Sequence, residues 1–248
     1  MYDLTSFTFT DMVECGWELS QLGVKAESME EASTRIVNYF YEHLIDKPTG
    51  TSACGLIRCF KTHPYEELDA QLREEVRGML GYTPSGTMKC LTLLGTVGDK
   101  SEWNSRHRSN GHKAIPLVSE DMVAQSPMIS QLIRQFGLDI STVLKPEHKL
   151  LVQFEEKNLN VFHVPEAVGS SYIPAQESFV IPFAIKSVQG FGGLLPSGNL
   201  FAIIMFSKVP ISRKTAEIFK TLASNVKSVL LPFDGKVVFA KSLYQNSV

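Results

Sequence analysis

Apolar residues recur along this chain with two periods, and the places where the period changes mark its elements. Leu200 to Phe206 is an almost unbroken apolar run of strand length, which predicts a strand covered on both faces. Before it, Ile185 to Leu194 reads as a partner strand, and Leu195-Pro196-Ser197-Gly198-Asn199 is a tight turn between the two. Proline pre-sets φ for the second turn position, and glycine accepts the positive φ such turns often need. After Pro210 the period becomes helical. Ala216, Phe219, Leu222, Ala223, Val226, Val229 and Leu230 fall at gaps of three and four, Ser212 is the N-cap, and Pro232 ends the helix.

Upstream, Met1 to Phe9 reads as an extended lead, and Thr10 caps a helix over about 11–24. Ser28 and Glu31 spell a capping box for a helix to about Ile45 with Ala32, Ile36, Val37, Phe40 and Leu44 inward. Strands are expected over 53–61 and 87–97, and a charged helix over 65–80 with Thr62 or His63 capping and Pro64 first. The polar stretch 98–118 reads as a loop. Helical segments follow from Ser119 and from Pro127 to about Gln135, then another over 146–157. Val161 to Val164 is a short strand, 165–177 a loop, and Lys236 to Ala240 an alternating patch in the tail. This order predicts an α+β fold, with a central antiparallel sheet flanked by helices on its faces and an N-terminal helix. The domain reading is an N-terminal extension and helix over 1–27, a main domain over 28–232 and a tail over 233–248.

Composition narrows the class. A chain of 248 residues can enclose one sizeable core. Its net charge of −2 supplies no general attraction to nucleic acid or to anionic membrane. The longest apolar run is too short to span a bilayer, and the first residues carry Asp3 and Asp11 with no basic segment, unlike a secretory signal. Cys15, Cys54, Cys59 and Cys90 form no CxxC pair, which suits reduced thiols in a cytoplasmic protein. Cys54 and Cys59 differ by an odd number, so a regular strand points them to opposite faces.

Several blocks carry a family resemblance. Ile185-Lys186-Ser187-Val188, the Gly-rich strand, the Gly198 turn, the aliphatic strand and the last helix resemble the second half of a GAF domain, and Asn160 to Ala167 resembles the segment before that family's pocket loop. Phe60 to Tyr65, Glu102 to Arg108 and Gly190 to Gly198 are similar to an N-terminal sensory module of bacterial signalling proteins such as sensor histidine kinases. The resemblance runs from about Ser28 to Leu231. It implies a GAF-like sensory or regulatory domain of a two-component or related system. Such a domain holds a small-molecule ligand or cofactor, is often a homodimer, and signals through its terminal helices to a histidine kinase or other effector. Trp17, Leu19 and Leu22 are then candidate dimer contacts or, on the competing reading, cover their own sheet. Family alternatives are a thiol-dependent reductase and a ligand-free interaction module. The surroundings of a phytochrome bilin site and the Asn-Lys…Phe…Asp-Glu pattern of the cyclic-nucleotide class are absent from the sequence.

The sharpest polar cluster is Arg106, His107, Arg108, His112 and Lys113. Guanidinium forks and loop amides suit phosphate or carboxylate; the competing reading is a solvated basic loop that balances the acidic helix at 65–80. His107 and His112, five apart, lack a third metal ligand. In the resemblance His163 borders the ligand, as a haem ligand or a hydrogen-bond partner for another tetrapyrrole or a nucleotide, with Tyr172, Phe179 and Phe183 as cavity lining. The competing reading makes His163 a packed, backbone-bonded residue. Gly190-Phe191-Gly192-Gly193 precedes a strand rather than a helix and lacks GxxxxGK[ST], so its glycines read as bulges or points of close backbone approach. No catalytic residues are assigned.

Overall fold

The computed structural model describes residues 1–109, 111–146 and 159–240. In chain order the elements are β1 (Tyr2–Asp3), α1 (Phe9–Gln21), α2 (Met29–His43), β2 (Leu44–Asp46), β3 (Thr51–Ser52), β4 (Cys54–Pro64), α3 (Ala70–Leu80) and β5 (Lys89–Gly98). Then come β6 (Ala114–Pro116), α4 (Glu120–Ala124), α5 (Pro127–Gln135), α6 (Ile140–Leu144), β7 (Phe162–Val164), β8 (Ser187–Leu194), β9 (Leu200–Ser207) and α7 (Arg213–Leu230). The helix expected over 146–157 lies, from residue 147, outside the described residues.

The main sheet has the order β6-β5-β4-β9-β8-β7, and every neighbouring pair is antiparallel. The fold is α+β, with a central antiparallel sheet covered on both faces. The long apolar strands β4 and β9 sit in the middle, while the three-residue strands β6 and β7 form the edges, which leaves little open ladder for another chain. On one face lie α1, α2 and α7, with a core built on Ile36, Phe40, Ile57, Phe191, Phe201 and Phe219. On the other lie α4, α5, α6 and the segment before β8, around Phe60, Leu93, Phe136, Phe162, Ile204 and Phe206. α3 packs beside β6. Among the described residues no helix is long and apolar enough to cross a membrane.

Several local details depart from the sequence reading. The lead is not merely extended: β1 pairs with β2 in parallel, and Leu4 and Phe7 are buried. Thr8, not Thr10, caps α1 in a reciprocal box with Asp11. β4 runs on through His63, which therefore caps nothing; Asp69 caps α3. Residues before proline favour extended backbone, which is what His63 adopts. The polar 98–118 stretch contains the edge strand β6. Cys54 and Cys59 face the same core, because the register slips between Cys54 and Leu56 and resets the alternation. Leu19 is fully buried rather than free for a dimer, whereas Trp17 is exposed.

The Gly-rich strand serves close approach. The β8–β9 register is unbroken, and a Cβ at Gly192 would lie 2.1 Å from the Phe201 carbonyl oxygen. Gly95, where the β4–β5 register slips, does the same beneath α2: a Cβ there would fall 2.7 Å from the Ser33 backbone. Gly95→Ala must push α2 off the sheet. We expect a loss of about 1–3 kcal/mol in urea unfolding with an unchanged fold by circular dichroism. A neutral substitution would mean that α2 does not lie this close to β5.

Candidate functional site

From Leu56 to His63, β4 alternates strictly between the two faces. Leu56 and Phe60 belong to the core under α4–α6, and Ile57 and Cys59 to the core under α1, α2 and α7. Arg58 therefore points to the α4–α6 face, in the middle of the sheet. Its direct cross-strand neighbours are Thr96 on β5 and Ile204 on β9. One guanidinium nitrogen, Nη2, donates to Ser109 Oγ at 3.1 Å, and Nε is buried with no partner. The Thr96 hydroxyl beside it is also buried and unbonded. Among the described residues no carboxylate pairs with Arg58, and desolvation alone lowers its pKa to about 10.

On the face of the sheet that Arg58 shares, Leu56, Phe60, Leu93 and Ile204 belong to one apolar core, to which Leu132 and Phe136 contribute from the helices. An aromatic group joins the same core through Phe206. Trp103 lies 4.6 Å from Phe183 and 5.5 Å from Phe179 between ring centres, and Phe179 meets Phe206 edge-on at 5.0 Å. The arrangement is a cationic fork and a free hydroxyl on an apolar floor, which matches a ligand with an apolar body and one anionic group.

The candidates from the basic loop separate. Arg106 is buried and clamps two acids, Glu30 at 2.7 Å and Asp69 at 3.0 Å. Exposed His107 reaches Glu30 at 3.4 Å, and Lys113 pairs with Glu75 at 3.0 Å. Three of the loop's basic side chains thus meet α2 and the acidic stretch around α3. Arg108 is exposed. His112, in a left-handed turn after Gly111, keeps contact with solvent beside Arg58; crowding by the loop, then the Arg58 charge, lowers its pKa. Of the predicted basic-loop residues, His112 is the one whose pKa is shifted by the Arg58 charge.

His163 faces away from this pocket. Phe162 and Val164 on either side of it join the α4–α6 core, while its Nε2 donates to the Ile211 carbonyl at 2.8 Å ahead of α7. That orientation does not suit an axial ligand to a tetrapyrrole held over Arg58. Tyr172 sits on an outer loop with 39% of its surface exposed, but Phe179 and Phe183 do line the aromatic end. All four cysteines are buried, and burial pushes each thiol up to about 12. Among the described residues, His, Cys, Asp and Glu side chains do not gather in threes as a metal site.

Sequence reasoning missed Arg58. An arginine in a strand reads as a solvent-facing residue; only the register with β5 and β9 and the cover from Ser109 make it a half-buried one whose Nε is shut off from water. It missed a second cluster on the opposite face of the same strand. Lys61 and His63 there are almost fully buried, and neither ring nitrogen of His63 has a hydrogen-bond partner. Lys89, at the sheet's end nearby, donates to Asn199 Oδ1 at 2.7 Å.

No family model matches the chain, and no curated protein does. Among solved structures it is similar to the GAF domain of an Acinetobacter phosphoenolpyruvate-protein phosphotransferase, with 12% identity, 88% of this chain and 91% of that one covered, and a TM-score of 0.40. The corresponding Coxiella burnetii domain gives 12% identity, coverage of 90% and 94%, and a TM-score of 0.43. The Stigmatella aurantiaca phytochrome photosensory core gives 9% identity, covers 92% of this chain and 37% of that one, and has a TM-score of 0.40.

His63 gives the pH dependence its sign. Desolvation first, then the charge of Lys61, holds its pKa well below the usual value, so the folded chain keeps it neutral. An unfolded chain protonates it near about pH 6.5. Its contribution is fully present above that pH and is lost as the pH falls below it. Urea melts between about pH 7.5 and 5 should show falling stability, with a flatter slope for His63→Leu. An identical slope in the variant would contradict the buried neutral ring.

Proposed function

We propose that this chain is a sensory or regulatory domain that takes a small molecule with an apolar body and one anionic group, carboxylate or phosphate, over the middle of the sheet. The observation that carries this reading is Arg58, whose guanidinium sits among apolar side chains with a buried unbonded nitrogen and no carboxylate among the described residues. A buried charge left without a counter-charge costs free energy. An anionic ligand offsets that cost, and the Thr96 hydroxyl offers it one more bond.

A ligand signals only if it favours one arrangement of the protein over another. The loop that gives Ser109 to Arg58 also carries Arg106, which grips Glu30 in the first turn of α2. An anion that takes Ser109's place draws on this loop, and through Arg106 on α2. α1 presents Phe9, Val13 and Trp17, four residues apart and 54–69% exposed, as the surface for a second copy of the chain or for a histidine kinase or other effector. The buried, high-pKa thiols support a binding role over a thiol-dependent reductase.

The test is a thermal-shift screen of fatty acids, aryl carboxylates and phosphomonoesters against the native protein and Arg58→Leu. A ligand near a hundredfold over its Kd should raise the native Tm by about 5–10 °C, and Arg58→Leu should abolish the rise. Equal shifts in both proteins, or a preference for uncharged analogues, would overturn the proposal.

A further inference from the structure

The face of β4 opposite Arg58 holds a second group of basic side chains, the Lys61 ammonium and the neutral His63 ring, under a thin cover. Lys61 is 1% exposed and His63 is 0% exposed. The segment from Leu231 to Ala240 lies across them as a strap. Val237 and Val238 accept the Met29 and Glu30 amides at 3.0 and 2.9 Å, and the Ala240 amide donates to Glu30 Oε2 at 3.0 Å. Phe239 lies 5.5 Å from the His63 ring and 5.1 Å from the Arg106 guanidinium carbon. None of these ten strap residues is itself classed as buried, although what lies beneath them is. The strap is held by these backbone bonds and by partly buried Phe233, Val238 and Phe239 against the core, rather than enclosed by it.

Beneath it the Lys61 ammonium is short of acceptors. The Lys61 ammonium has one long contact, to the Thr62 carbonyl at 3.4 Å, and Asp234 Oδ1 stands at 3.9 Å, beyond hydrogen-bonding distance. Asp234 is itself engaged elsewhere, accepting from the Ser197 amide at 2.9 Å and hydroxyl at 2.7 Å. The His63 ring is unbonded at both nitrogens. A buried ammonium with a single long contact calls for an acceptor-rich, negatively charged occupant, to which the neutral His63 ring can donate one N–H. In the closed state Asp234 offers its carboxylate at the wrong distance and from the strap, while Glu67 acts on Lys61 only through its charge.

We propose that Lys61 and His63 form a second binding site, for a small free oxyanion of the phosphate class, and that the strap is its cover, with Asp234 as a resident competitor. Opening the cover also frees Phe239 from Arg106 and the α2 amides from Val237 and Val238, so the oxyanion bears on the same turn of α2 that the Arg58 pocket reaches. Glycine at position 235, in the left-handed region with φ of 70°, gives the chain its turn immediately after Asp234.

Inorganic phosphate, titrated calorimetrically at constant ionic strength near neutral pH, tests this. Asp234→Asn should bind phosphate severalfold more tightly than the native protein, Lys61→Gln should lose binding, and Arg58→Leu should bind as the native protein does. Equal affinity in Asp234→Asn and native protein would overturn the site, and so would undiminished binding in Lys61→Gln, which would mean an adventitious ion only. Binding lost in Arg58→Leu but kept in Lys61→Gln would place phosphate in the other pocket and overturn this proposal alone. If Lys61→Gln does not fold, the His63 ring nitrogen signals of Asp234→Asn decide. Phosphate should shift them, and signals that stay put would overturn the assignment.

Discussion

One strand carries both cationic sites, and its alternation decides what each one sees. β4 lies between β5 and β9, and every second residue from Leu56 to His63 turns to the opposite core. Arg58 faces one side and Lys61 and His63 the other. A slip of one residue would exchange them, placing the lone guanidinium under α2 and the lysine among the aromatic rings. The register is held by close approach on both flanks. Gly95 lets α2 rest on β5 where the β4–β5 ladder slips, and Gly192 lets the β9 backbone come against β8. The position of every functional group proposed for this chain follows from that registration.

A second constraint ties the two faces together. Arg106 leaves the polar loop, crosses to α2 and α3, and neutralises Glu30 and Asp69 from a buried position. Breaking such a pair by removing one partner strands the other charge, which costs about 3–5 kcal/mol. The same guanidinium meets Phe239 of the strap, and the same Glu30 accepts from Ala240. The pocket loop, the first turn of α2 and the C-terminal strap therefore meet at one ion pair. A displacement in any of them is felt by the other two through contact rather than over distance.

The sequence displayed the scaffold more fully than the sites, for physical reasons. α7, α2 and β9 bury one continuous face or run each, so their periods are plain in the residues. Proline disfavours helix in the residue before it, so the extended backbone at His63 follows from Pro64, yet reading Thr62 or His63 as a cap cut β4 short at residue 61. Arg58, by contrast, looks like any polar residue in a strand until two neighbouring strands and Ser109 surround it. The partners of Arg106 stand 76 and 37 positions away in the chain, at Glu30 and Asp69, and no local pattern announces them. His163 is conspicuous in sequence because it lies between apolar residues, but strand alternation turns it toward Ile211 and out of the pocket.

The central claim is that the Arg58 charge awaits an anion. The most direct measurement is the Arg58 side-chain Nε–H signal in nitrogen-15 NMR spectra, assigned by Arg58→Lys. It is followed while a medium-chain carboxylate, and separately its uncharged primary amide, is added. The account predicts a saturable shift with the carboxylate and little or none with the amide. Equal shifts from both ligands, or a signal that neither one moves, would contradict it.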